Sequence, residues 1–103
     1  MKIYIAGKVT GDEHYLTKFT QAARTVTSLG HIPLTSAALP QGLTEADYMR
    51  ISLAMIESSD LVLFLPDFIQ SAGANIEYLL CQKTGKPWDY FSSWTEMQED
   101  DET

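Results

Sequence analysis

Cysteine is nearly missing from this sequence. Cys81 stands alone among 103 residues, which excludes an internal disulfide and any cysteine-based metal cluster. It falls in an apolar helical pattern and reads as a buried structural thiol. Positive charge is also scarce. Seven Lys and Arg stand against fourteen Asp and Glu, for a formal net charge of −7. No basic stripe forms, which argues against a nucleic-acid polymer as partner. The two histidines, His14 and His31, have no second ligand spaced with them, so no metal site is expected. There is no apolar run of membrane-spanning length and no signal-peptide pattern. The expectation is a cytosolic protein with no membrane contact. The Gly-Lys-Ser/Thr order of a Walker loop is missing, and so is the Gly-x-Gly-x-x-Gly fingerprint. No cofactor is expected.

The length is that of one domain with one core. Its acids are unevenly placed. Glu96, Glu99, Asp100, Asp101 and Glu102 are five of the fourteen, all in the last eight residues. Residues 1–92 are read as the domain and 93–103 as an acidic, solvated and disordered tail.

Within the domain, strands and helices alternate. Lys2-Ile3-Tyr4-Ile5-Ala6 is rich in β-formers and runs into Gly7-Lys8-Val9-Thr10-Gly11. Two glycines bracket this loop, so its backbone can approach a ligand closely; a plain strand-to-helix turn would look the same. Tyr15 to Leu29 carries an apolar stripe at helical spacing, ended by Gly30. His31 to Thr35 reads as a strand, with Pro33 favouring a sheet edge. Thr44-Glu45-Ala46-Asp47 fits a capping box at the start of a second helix, which ends near Ser58. In that helix Ser52 shares a face with Tyr48, Ile51 and Met55. It points toward the sheet or the crevice, where its hydroxyl can also satisfy itself on a backbone carbonyl. Leu61-Val62-Leu63-Phe64-Leu65 is the most apolar run and reads as a buried central strand. A loop, a helix from Gly73 to Thr84, and a short strand over Trp88–Phe91 complete the pattern.

The βαβαβαβ order predicts a three-layer α/β domain. Its sheet is parallel and four-stranded, flavodoxin- or Rossmann-like, with order 2-1-3-4. The first and third strands are then central, and their connections leave in opposite directions, which makes a switch point. Two loops converge there: Gly7–Gly11 and the stretch leading into Ser71-Ala72-Gly73-Ala74-Asn75-Ile76-Glu77. Glu77 lies about one turn inside a helix whose N-terminus offers free N–H groups. A carboxylate beside such a turn suits catalysis. It also suits simple complementation of the helix dipole.

These pieces resemble the nucleoside 2-deoxyribosyltransferase-like superfamily, and within it a group of short phage and bacterial proteins. The resemblance rests on residues 3–11, on Leu39-Pro40-Gln41-Gly42-Leu43 with Asp47-Tyr48-Met49, on Ser59 to Leu65, and on the Ser-x-Gly-x-x-x-Glu run from Ser71 to Glu77. It implies that Glu77 is a nucleophile attacking the anomeric carbon of a deoxyribosyl group. A covalent sugar–enzyme intermediate would then be resolved by a base or by water. It implies that Gly7, Lys8, Thr10 and Gly11 lie along the nucleoside, that Ser71 lies where monophosphate-preferring members bind a 5′-phosphate, and that Ser52 and Gly73 belong to the same substrate site. It also implies a homodimer, for which Tyr15, Tyr48, Met49, Trp88 and Trp94 are candidate interface residues.

One departure bears on activity. Superfamily members usually carry an Asp where this chain has Ser52, and that Asp helps protonate the leaving base. A serine hydroxyl is a poor general acid. Two readings therefore stand: an N-glycosidase or deoxyribosyltransferase acting on a deoxynucleoside or its monophosphate, and a non-catalytic binder of a nucleotide or nucleotide-derived signal in the same crevice.

Overall fold

The computed structural model describes residues 1–101. The elements are β1 (Lys2–Ala6), α1 (Tyr15–Ser28), β2 (Ile32–Leu34), α2 (Glu45–Ser58), β3 (Leu61–Phe64), α3 (Ala72–Thr84), β4 (Trp88–Tyr90) and α4 (Phe91–Asp101). Short 3₁₀ turns lie at Ser36–Ala38 and Phe68–Gln70. The four strands form one sheet in the order β2-β1-β3-β4, and every pairing is parallel. The expected fold class and strand order are those observed. Pro33 sits on the edge strand β2, where a missing N–H costs no ladder bond.

Strand alternation divides the core between the two faces of the sheet. Ile3, Ile5, Leu63 and Leu65 point to one face, where they pack with Phe19, Ala22 and Val26 of α1 and Trp94 of α4. Tyr4, Ala6, Val62 and Phe64 point to the other, packing with Ile56 of α2 and with Ala74 and Cys81 of α3. Each fully buried aliphatic side chain contributes roughly 1.5–3 kcal/mol, so the two half-cores together hold the sheet between its helices.

The caps explain where the helices begin. Thr44 accepts from the Asp47 N–H, and Asp47 accepts from the Thr44 N–H, each at 3.1 Å, so the expected capping box of α2 is formed. Ser71 caps α3 by accepting from the Ala74 N–H at 3.1 Å. That helix starts at Ala72, one residue before the predicted Gly73.

Two boundaries near the end of the chain differ from the sequence reading. Phe91, expected in the last strand, opens α4. The stretch read as a tail from residue 93 is helical as far as Asp101. The physical reason is Trp94. Its ring lies 5.7 Å from that of His31, and the residue is only 6% exposed. Burying one indole favours the helix over an extended, solvated chain. Trp94, a candidate for an intermolecular interface, thus has its seat inside its own chain. Residues 102 and 103 of the expected tail lie outside the described residues.

Candidate active site

The loops after the two central strands meet above the C-terminal ends of β1 and β3. Together with the Ser36–Ala38 turn and the first turns of α2 and α3 they enclose a cavity of about 280 Å³. That is near the lower end of small-ligand pockets. Of the residues singled out in the sequence, Gly7, Thr10, Ser52, Ser71, Gly73 and Glu77 line it. Lys8 and Gly11 do not. The Lys8 N–H donates to Asp67 Oδ1 at 3.1 Å and its carbonyl accepts from Lys18 Nζ at 2.7 Å, so its backbone is committed to bracing the loop. Gly11 turns the chain at φ +80°, in the left-handed region glycine favours.

Gly7 is where the wall depends on having no side chain. A Cβ there would sit 3.0 Å from Leu65 Cδ1 and 3.2 Å from Asp67 Oδ1. Lys18 ties the same loop down. Its ammonium donates to the Lys8 carbonyl and to Asp12 Oδ2, both at 2.7 Å, and also to Asp67 Oδ2. One cation thereby joins the loop after β1 to the loop after β3.

Glu77 lies at the cavity floor and is 5% exposed. Its carboxylate accepts a hydrogen bond of 2.6 Å from the Tyr4 hydroxyl on β1. Burial pushes the Glu77 carboxyl up to about 7, and the Tyr4 bond pulls in the opposite direction. Burial, then the adjacent Glu77 charge, holds the Tyr4 hydroxyl well above its ordinary range, while the neighbouring Ser36 and Ser52 hydroxyls oppose that rise. Tyr4 therefore stays a proton donor throughout the working pH range. Burial, with the nearby Glu77 charge second, pushes the Cys81 thiol up to about 11, so it is not a reactive thiolate.

Tyr4, the partner of Glu77, is the residue of the site that the sequence reading missed. A tyrosine inside an apolar strand reads as core, and it is fully buried. The available signal was its polar tip at the centre of the sheet, on the face where Glu77 arrives. Also missed were Tyr15, Ser36, Leu39, Gln41 and Glu45, which line the walls with Tyr48 and Met49. Glu45, Tyr48, Met49 and Ser52 repeat at helical spacing along α2, so one face of that helix forms one wall.

The geometry defines an α/β protein with a buried, hydrogen-bonded carboxylate at the switch point of a parallel sheet. Its fold is like that of a solved 2-deoxyribosyltransferase from the psychrotolerant bacterium Bacillus psychrosaccharolyticus. The two share 20% identity with a TM-score of 0.68, over 85% of this chain and 69% of that one. At that identity the likeness establishes a deoxyribosyltransferase-like fold. Residues 1–90 match the family described as Domain of unknown function (DUF4406), and the chain belongs to that family. No curated protein matches it by sequence. Among the described residues, no helix is long and apolar enough to cross a membrane.

Proposed function

We propose that the protein cleaves or transfers the N-glycosidic bond of a deoxynucleoside or its monophosphate, with Glu77 as nucleophile. The observation that carries this reading is the buried Glu77 carboxylate, oriented by Tyr4 at 2.6 Å, on the floor of a cavity of small-ligand size. In the first step a Glu77 oxygen bonds to the anomeric carbon as the carbon–nitrogen bond breaks. The electron pair goes to the base nitrogen, which takes up a proton from water. In the second, water or another base attacks the same carbon, gives up a proton to solvent and frees the carboxylate. Tyr4 fixes the carboxylate's orientation and stabilises the charge it regains on release. Ser52 lines the same wall and is a weak acid, so good leaving bases are the better substrates.

The test is incubation with a panel of deoxynucleosides and monophosphates, following free base by chromatography. Glu77→Gln should lower base release by roughly 10⁴-fold or more while ligand still binds. Base release that survives this substitution would defeat the nucleophile assignment. Tight binding with no release by the wild type would favour a binding module instead. Because the nucleophile must be ionised, kcat/KM should rise with pH through about 7. Ser52→Asp should speed the release of poor leaving bases, by up to ~10²-fold.

We read the protein as a cytosolic homodimer. The candidate interface side chains Tyr15, Tyr48 and Met49 line the cavity, and Trp88 packs against Tyr78 and Tyr90. The support for a dimer therefore comes from elsewhere, from Ile76 and Leu79 on α3, which are 50% and 55% exposed. Light scattering at micromolar concentration should give twice the chain mass; a monomer mass rejects the dimer.

A further inference from the structure

We propose that the crevice selects an uncharged nucleoside over the corresponding 5′-monophosphate. This deepens the deoxyribosyl reading above and rests on it. All seven basic side chains of the chain are among the described residues, and none lines the cavity. Lys18 has its three ammonium hydrogens taken up by Lys8, Asp12 and Asp67. Arg50 is paired with Asp47 on an exposed face of α2. Lys86 donates to the Ser59 carbonyl at 2.6 Å, before the start of β3 and at the far end of the sheet. Lys8 is the only basic residue in a cavity-forming loop, and its stem lies beside Gly11, outside the lining.

The carboxyl groups that line the cavity are the exposed Glu45 at the first turn of α2 and Glu77 at the floor. A phosphate monoester brings about −1.5 to −2 charges at neutral pH. Entering this cavity, it would shed water, meet the Glu45 carboxylate and a half-ionised Glu77, and find no cation in exchange. Ser71, the residue that the resemblance aligns with a phosphate site, already accepts from the Ala74 N–H. What the lining offers is neutral hydroxyl and amide groups from Thr10, Tyr15, Ser36, Gln41, Tyr48 and Ser71. Those groups suit sugar hydroxyls and the edge of a base.

The experiment is calorimetric titration of the wild-type protein with each 2′-deoxynucleoside and with its 5′-monophosphate, with base release followed in parallel. The nucleoside should bind about tenfold or more tightly than the monophosphate. The gap should narrow in Glu45→Gln and with added salt, because both weaken repulsion at the mouth. Equal or tighter binding of the monophosphate overturns the proposal, and loss of that binding in Lys8→Ala would identify the cation responsible. If base is still released in that case, the deoxyribosyl reading stands and only the charge preference falls. If neither class binds or reacts, both readings fall together.

Discussion

The two faces of the sheet are built from alternate residues of the same strands, yet they do different work. On the α1–α4 side, Ile3, Ile5, Leu63 and Leu65 meet Phe19, Val26 and Trp94 in an apolar half-core. On the α2–α3 side, the buried set includes Ser52 and Glu77 as well as the hydroxyl of Tyr4. One face gains stability from burial alone. The other gives some of it up to hold a carboxylate out of water. A one-residue change of register in β1 would exchange Tyr4 for Ile3 or Ile5 and abolish the distinction. The lesson is that a single central strand can serve packing with one set of side chains and hold a buried carboxylate with the other.

The sharpest way to break this comparison is to cut into the apolar face. Leu63→Ala should destabilise the fold by about 2–5 kcal/mol, measured by denaturant unfolding. Nucleoside affinity of the folded fraction should be unchanged, since Leu63 does not line the cavity. A loss of affinity as large as the loss of stability would mean that the faces are not independent.

A smaller effect, of opposite sign, is expected on the polar face. The unfolded chain ionises Glu77 near 4.5, whereas the folded protein holds it protonated up to about 7. Between those values the folded state binds the extra proton. Glu77 therefore lends its stability at pH below 4.5 and withdraws it as pH rises through 7, a change on the order of 3 kcal/mol. Glu77→Gln should remove this slope from a series of melts between pH 4.5 and 8. The variant should then be relatively more stable than wild type at the alkaline end while catalytically dead. A slope identical in both proteins would sink the account of Glu77 burial. The carboxylates Asp12, Asp47 and Asp60, all held below their usual range by hydrogen bonds, act at more acidic pH and in the other direction.

The smallest of these effects belongs to Tyr4→Phe. Removing the donor should cost about 1 kcal/mol at alkaline pH. It should also move the rising limb of the activity profile upward, because the Tyr4 bond is what lowers the Glu77 carboxyl against burial. An unshifted limb would make Tyr4 a packing residue only.

The fold was largely legible in the sequence because each level agreed with the next. Alternating strand and helix patterns, Pro33 on an edge, the Thr44–Asp47 box and the apolar Leu61–Leu65 run all point to one topology. The meeting of Gly7, Ser71 and Glu77 followed from that topology without any side-chain knowledge. Tyr4 did not follow, since a buried tyrosine among isoleucines gives no hint of what its hydroxyl touches 73 residues later. Lys8 and Trp94 show the same limit. Whether a lysine near a crevice turns inward, and whether a tryptophan amid acids finds a seat, depends on neighbours brought in from distant segments. Here those are Lys18 with Asp67 and His31.

The position of β1 has a consequence for how the molecule comes into being. β1 leaves the ribosome before β2, β3 and β4, but it lies between β2 and β3, and β3 begins only at Leu61. Until then one edge of β1 has no partner, and the Tyr4 hydroxyl has no carboxylate to meet. Pairing across so long a stretch of chain is slow compared with local helix formation. The Tyr4–Glu77 bond closes only when the first strand and the third helix have both docked. An incompletely folded chain therefore carries helices and part of a sheet but no assembled site, and ligand binding reports on the finished topology.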